Sequence, residues 1–260
     1  MKSTFSLLFS SLSAAVLAGP APAAATPKIL ICSDSTTANY ASGPLQGWGF
    51  HLPAYVSIPV KNLAVNGRSL RSFIDEGKWK GLIDQTAPGD LVVLEMGHND
   101  DSDLSNPRYG GRATLPGLGM ETKSVKTGTG TEVVHTFGWY LRTMIADVEK
   151  KQAIPIVSGM VPRNNWVGGK LTTVRPFTET ARQVAAAAKL VFVDHTKFSA
   201  TALQKLGPVG AKKLFPLDNT HTNDAGAILN AETFIQAVVC AKSPLAKYLS
   251  PKGKTVKATC

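Results

Sequence analysis

Acidic residues are scarce in this 260-residue chain: 18 Asp and Glu stand against 28 Lys and Arg, a formal charge of +10. Such an excess attracts polyanions. The cations are scattered, however, with no dense Lys/Arg block and no RNA-binding signature, so a nucleic-acid partner is not expected. The charge equally suits plain solubility. Cysteine is scarcer still, at positions 32, 240 and 260 only, and three cysteines without CxxC spacing do not make a structural zinc site. After residue 18 no apolar run is long enough to cross a bilayer. No Asn-x-Ser/Thr sequon occurs, so N-glycosylation is not expected. Internal repeats and linker-like tracts are also missing, which leaves one domain as the expected organisation.

What is present begins with an export signal. Lys2 supplies a positive start, Leu7 to Leu17 is mostly apolar or small, and Val16-Leu17-Ala18 fits the small-residue cleavage rule. Residues 1–18 are therefore expected to be removed, with cleavage as late as residue 26 in the Ala/Pro stretch. Losing Lys2 leaves 27 − 18 = +9. The remainder, 27–260, is expected to be a secreted, extracellular, soluble monomer with no membrane attachment. Export permits a disulfide. Pairing Cys240 with the terminal Cys260 would tie down an otherwise loose tail, by about 3 kcal/mol for a loop of this length. Cys32 lies inside an apolar strand and reads as a buried free thiol.

Short β-branched runs then alternate with longer helical ones. Lys28–Ser33, Ile58–Val65, Asp90–Met96, Ile154–Gly159 and Leu190–Asp194 read as strands, the third being the clearest. Helical spacing falls over Gly47–Val56 (interrupted by Pro53), Ser69–Gln85 (broken by Gly77 and Gly81), Phe137–Gln152, Pro176–Lys189, Thr196–Leu206 and Asn223–Cys240, with Asn223 as the last helix's cap. Residues 101–131, rich in Gly, Thr, Asn and Pro, carry neither period and read as a long surface excursion. Five rounds of strand and helix imply a five-stranded parallel sheet with helices on both faces, a three-layer α/β/α sandwich. Ligands of such sheets sit beyond the carboxyl ends of the strands.

Three segments fall at those ends, and a fourth follows the last strand by a loop. Ser33-Asp-Ser35-Thr-Thr follows the first strand and offers a hydroxyl nucleophile, though such clusters usually serve as turns and caps. Asn66-Gly67-Arg68-Ser69 follows the second, where glycine lets a backbone N–H approach a ligand. Gly97-His98-Asn99-Asp100-Asp101 follows the third, and Asn99 can add a side-chain N–H to an anion-holding pocket. A metal cluster of His98, Asp100, Asp101 and Asp103 is the rival reading there, without any EF-hand spacing. Asp218-Asn-Thr-His221 precedes the last helix; a carboxylate on one imidazole nitrogen leaves the other able to take a serine proton.

Together these segments resemble the blocks of the SGNH (GDSL-type) hydrolases, whose four name-giving residues fall here on Ser35, Gly67, Asn99 and His221. Gly47-Trp-Gly, Ala64-Val-Asn-Gly-Arg-Ser-Leu-Arg-Ser, Phe215-Pro-Leu-Asp-Asn-Thr-His-Thr and Ala237-Val-Val-Cys240 are similar to one branch, the rhamnogalacturonan acetylesterases of carbohydrate esterase family 12. The resemblance covers essentially the whole of 27–260. It implies a flavodoxin-like domain that removes acetyl groups from acidic pectic polysaccharide without metal or organic cofactor. Ser35 would be the nucleophile, His221 the base and Asp218 its orienting partner. The backbone N–H groups of Ser35 and Gly67 and the Asn99 side chain would hold the oxyanion. Two departures stand out: Ser33 occupies a position where the family usually has glycine, and residues 101–131 lack the loop disulfide that branch members can carry.

Arg68, Arg71 and Arg163, with Trp48 and Trp166, are candidate contacts for an acidic sugar, since arginine suits carboxylates and tryptophan suits sugar faces. His98 is a candidate for lining the site. His51 and His135 read as packing or surface residues. Asp194-His195 competes nominally with Asp218 and His221, but strand neighbours point to opposite faces. Competing functions on the same chain are an acetylxylan, other carbohydrate or lipid esterase, a catalytically silent carbohydrate-binding protein, and a metal-dependent phosphoesterase.

Overall fold

The computed structural model describes residues 26–127, 130–173 and 176–260; the expected export signal lies outside them. In chain order the elements are β1 (Ile29–Ser33), β2 (Val60–Asn62), α1 (Leu70–Asp75), α2 (Lys78–Asp84), β3 (Leu91–Glu95), β4 (Thr122–Thr127), β5 (Gly130–His135), α3 (Phe137–Lys150), β6 (Ile154–Ser158), β7 (Trp166–Val167), β8 (Lys170–Leu171), α4 (Pro176–Ala187), β9 (Phe192–Val193), α5 (His195–Lys212), α6 (Asp224–Cys240) and α7 (Pro251–Thr255). Five strands make one parallel sheet in the order β2-β1-β3-β6-β9. These are the five expected strands, and the order reverses between β1 and β3, the switch point where doubly wound sheets bind ligands.

Strand alternation sorts the core into two layers. Leu30, Cys32, Val92 and Leu94 pack with α1, α2, α3 and α4 on one face. Ile29, Ile31, Leu91 and Val93 pack with α6 on the other, joined by Trp48, Leu52 and Tyr55. Each fully buried Leu, Ile or Phe of these layers contributes about 1.5–3 kcal/mol. Cys240 is bonded to Cys260, and Cys32 is free and buried as expected. No helix among the described residues is long and apolar enough to cross a membrane.

Four segments depart from the sequence reading. Gly47–Val56 is not a helix; it forms two single 3-10 turns, Trp48–Phe50 and Leu52–Ala54. Its N–H groups are spent elsewhere: Gly47, Trp48 and Gly49 donate to the carbonyls of Ala38, Thr36 and Thr37. A Cβ on Gly47 would collide with the Ala38 carbonyl, so the sequence here serves close approach rather than helix. The second strand shrinks to three residues after Pro59, as proline at the start of an edge strand predicts. The excursion at 101–131 contains an antiparallel hairpin, β4 on β5. It has little apolar alternation because most of its side chains face water. Helix α5 starts at His195, capped by Asp194, and runs past a kink at Gly207–Pro208 to Lys212.

Candidate active site

Strand register brings the first three segments to one rim. Ser33 of β1 pairs with Glu95 of β3, so the residues just beyond them, Ser35 and Gly97, emerge side by side. On the other flank the Val65 N–H still donates to the Ser33 carbonyl at 3.0 Å, carrying the β1–β2 alignment up to Gly67. Gly67 is the third residue of a turn closed by the Arg68 N–H on the Val65 carbonyl at 3.3 Å. Its φ of +73° is one that side-chain-bearing residues avoid.

Ser35 stands in a tight turn. The buried Asp34 carboxylate accepts from the Thr36 N–H and hydroxyl, both at 2.9 Å, and the Tyr40 hydroxyl donates to the Ser35 carbonyl at 3.0 Å. Burial pushes the Asp34 carboxyl up to about 6. Ser33, where the family resemblance expects glycine, is fully buried; its hydroxyl donates to the Glu95 carbonyl at 2.6 Å and bonds the Thr37 hydroxyl at 2.7 Å. The departure therefore staples the serine turn to the end of β3.

The fourth segment arrives from the far end of the chain. His221 Nε2 lies 2.8 Å from Ser35 Oγ, and His221 Nδ1 lies 2.6 Å from Asp218 Oδ2. Asp218 Oδ1 also accepts the backbone N–H groups of Thr220 at 2.7 Å and His221 at 2.8 Å. Partial burial pushes this carboxyl upward, but the hydrogen bonds from His221 and Thr220 outweigh it and hold the group below the usual carboxylate range. A carboxylate only accepts, so Nδ1 carries the proton and Nε2 is free to accept from the serine hydroxyl. The loop itself is pinned by Gln46–Thr222 and Asn164–Asn219 backbone bonds and by the Asn223 side chain capping α6.

Asn99 lies across the rim. Its Nδ2 donates to the Arg68 carbonyl at 3.0 Å and its Oδ1 accepts from Arg112 Nη1 at 3.3 Å. One Nδ2–H remains for a ligand. Arg112 was not visible in the sequence as a site residue, because it sits in the patternless excursion.

The candidate sugar contacts fare unevenly. Trp48 is wholly buried, its indole N–H donating to Glu95 at 3.0 Å and its ring stacked on Phe234; it is core, not a sugar platform. Arg71 is 1% exposed and ties down the excursion through Glu132 and the carbonyls of Gly110 and Ala113, so it cannot reach a substrate. His98 is likewise buried. Arg68 turns to Glu76 and the Asn66 carbonyl. Arg163 bridges two site loops, donating to Thr220 Oγ1 at 2.6 Å and the His98 carbonyl at 3.1 Å. Trp166, half-buried, bonds Asn164.

His195 does not work with Asp194, but for a different reason from the one strand geometry suggests. It opens α5 and is buried, with Nδ1 2.9 Å from Glu95 Oε2 and Nε2 2.9 Å from the Asn230 carbonyl. Trp48 and Ser158 complete the Glu95 contacts. This polar knot under the site was missed because its members come from four separate parts of the chain, His195 and Glu95 alone being 100 residues apart. Among the described residues no group of three or more His, Cys, Asp or Glu could hold a metal ion.

Residues 34–227 match the GDSL-like lipase/acylhydrolase family, and the match spans Ser35, Gly67, Asn99, Asp218 and His221. The chain belongs to that family and is a carboxylic ester hydrolase. It is 36% identical over 220 residues to a rhamnogalacturonan acetylesterase of Emericella nidulans, covering 84% of this chain and 87% of that one. It is 28% identical over 210 residues to the probable rhamnogalacturonan acetylesterase YesY of Bacillus subtilis, covering 76% and 86%. Among solved structures it resembles the B. subtilis protein YxiM with a TM-score of 0.67 at 24% identity; 84% of this chain spans 57% of that one. It resembles the acetylxylan esterase Axe2 of Geobacillus stearothermophilus with a TM-score of 0.52 at 17% identity, covering 82% and 94%. These two likenesses speak for the fold alone.

Proposed function

We propose that this chain removes acetyl groups from an acidic pectic polysaccharide, rhamnogalacturonan, through a serine-bound acetyl intermediate. The observation that carries the chemistry is the continuous hydrogen-bonded chain from Ser35 Oγ through His221 to Asp218. Ser35 Oγ attacks the acetyl carbonyl while its proton passes to His221 Nε2. The carbonyl oxygen takes up negative charge and is met by the N–H groups of Ser35 and Gly67 and the remaining Nδ2–H of Asn99. Collapse expels the sugar alkoxide, which takes the proton from Nε2. A water then gives its proton to the same nitrogen and attacks the acetyl-serine; the Oγ–carbon bond breaks, Ser35 Oγ takes the proton back from Nε2, and acetate leaves. Asp218, held ionised, supports the imidazolium in both halves.

The substrate rests on kinship with rhamnogalacturonan acetylesterases and on the cationic balance of +10, which suits a polyanion. Export follows from the character of residues 1–18, and N-terminal sequencing of the mature protein checks it. The deciding experiment is Ser35→Ala assayed for acetate release from acetylated rhamnogalacturonan and from acetylxylan. The variant should lose about 10³-fold or more of the activity while melting within a few degrees of the parent. Retention of more than a few per cent would defeat the nucleophile assignment. Faster release from xylan would defeat the pectic one.

A further inference from the structure

We propose that Arg112 is a positioning residue of the ester-hydrolysing site, holding the Asn99 carboxamide in the single orientation that offers Nδ2–H to the substrate. This rests on the reading of Asn99 as an oxyanion donor.

A primary carboxamide can turn by 180° with little change of shape, exchanging its donor and acceptor ends. Its neighbours must therefore specify which end points where. Around Asn99 they do so without ambiguity. Arg112 Nη1 meets Oδ1 at 3.3 Å and the Arg68 carbonyl meets Nδ2 at 3.0 Å. A guanidinium has no acceptor and a carbonyl no donor, so the turned carboxamide would face two mismatched pairs at once.

Arg112 is itself held for this task. It closes the turn Gly110–Arg112, and the buried Arg71 grips that turn from both sides, donating to the Gly110 carbonyl at 3.0 Å and the Ala113 carbonyl at 2.9 Å. Arg71 in turn is ion-paired to Glu132 of β5. The Arg112 guanidinium packs on the Tyr109 ring with its carbon 4.7 Å from the centroid. It also fills the space beside Gly67: a Cβ there would come within 3.1–3.2 Å of three guanidinium atoms. The excursion thus ends as a brace on the oxyanion side, running from Glu132 through Arg71 and Arg112 to Asn99.

The test is a double-mutant cycle on 4-nitrophenyl acetate, a small neutral ester, so that binding of an acidic polymer plays no part. Asn99→Ala should lower kcat by about 10²–10³-fold, as loss of one oxyanion donor does. Arg112→Met should lower kcat by roughly tenfold with KM within about twofold, a fraction of that same term. Arg112→Lys, which keeps a donor, should recover most of the loss. In the Asn99→Ala background Arg112→Met should cost nothing more, since there is no carboxamide left to orient. If methionine destabilises the turn, Arg112→Gln enters the same cycle and must show the same non-additivity. Unchanged kcat in Arg112→Met, or equal losses in both backgrounds (a charge acting through space), would overturn the proposal. Full activity in Asn99→Ala would instead overturn the oxyanion reading on which it stands.

Discussion

At the scale of single residues, the site is built from groups whose surroundings decide what they do. Asp34 and Asp218 are both acidic neighbours in the candidate site, Asp34 adjoining Ser35 and Asp218 bonded to His221, yet their environments separate them. Asp218 is held low by N–H donors from His221 and Thr220, whereas burial raises Asp34 to about 6. A raised carboxyl means that the folded chain binds more protons than the unfolded one between about pH 4 and 6, so this group's contribution to stability falls as pH rises through that window. Asp34→Asn should therefore gain melting temperature relative to the parent as pH is raised from about 4 to 6, and thermal denaturation across that range checks it. A constant difference would remove the assignment. The sequence singled out Ser35, Gly67 and Asn99 just beyond strands and Asp218 and His221 before the last helix, and of these Ser35, His221 and Asp218 share one hydrogen-bonded chain. Trp48 and Arg71 misled because residue type says what a side chain can bind but not which way it faces.

At the scale of elements, the strongly periodic segments read true and the others did not. Strand β3 is apolar from Leu91 to Leu94 and fully buried to its end at Glu95, and α6 runs from its Asn223 cap to Cys240. The stretch after Gly47 fails as an α-helix because Pro53 has no N–H to give and the N–H groups around it close only three-residue turns, Phe50 on Gly47, His51 on Trp48, Ala54 on His51 and Tyr55 on Leu52. The hairpin β4–β5 fails to show because solvent on most of its side chains leaves nothing to alternate. The tail after α6 depends on Cys240–Cys260, which closes a separation of 20 residues. Cys260→Ser should cost about 3 kcal/mol, or roughly 6–12 °C in melting temperature for a domain of this size. A shift of under a degree would show that the packing of α7 alone holds the tail.

At the scale of the whole molecule, charge and topology act together. The sheet order places the serine turn and the Asn99 loop on either side of the switch point, and the chain as a whole carries a cationic excess that attracts polyanions. Added salt screens such attraction, with a Debye length of about 8 Å at physiological ionic strength. Acetate release from an acidic pectic polymer should therefore slow several-fold between about 0.02 and 0.5 M NaCl, while 4-nitrophenyl acetate hydrolysis stays nearly flat. Equal salt dependence for both substrates would show that the net charge serves solubility only.

The amino-acid sequence alone determined the alternation of strands and helices, hence the parallel sheet, and it singled out Ser35, Gly67, Asn99, Asp218 and His221 as the candidate site residues. These are local matters: side-chain period and the chemistry of short segments at strand ends. Only the tertiary structure decided that Trp48 and His195 sit under the site rather than in it, that Ser33 staples two strand ends, and that Arg71 and Arg112 brace Asn99 from a segment without pattern. Those contacts join residues dozens of positions apart and depend on burial, which a linear sequence does not display.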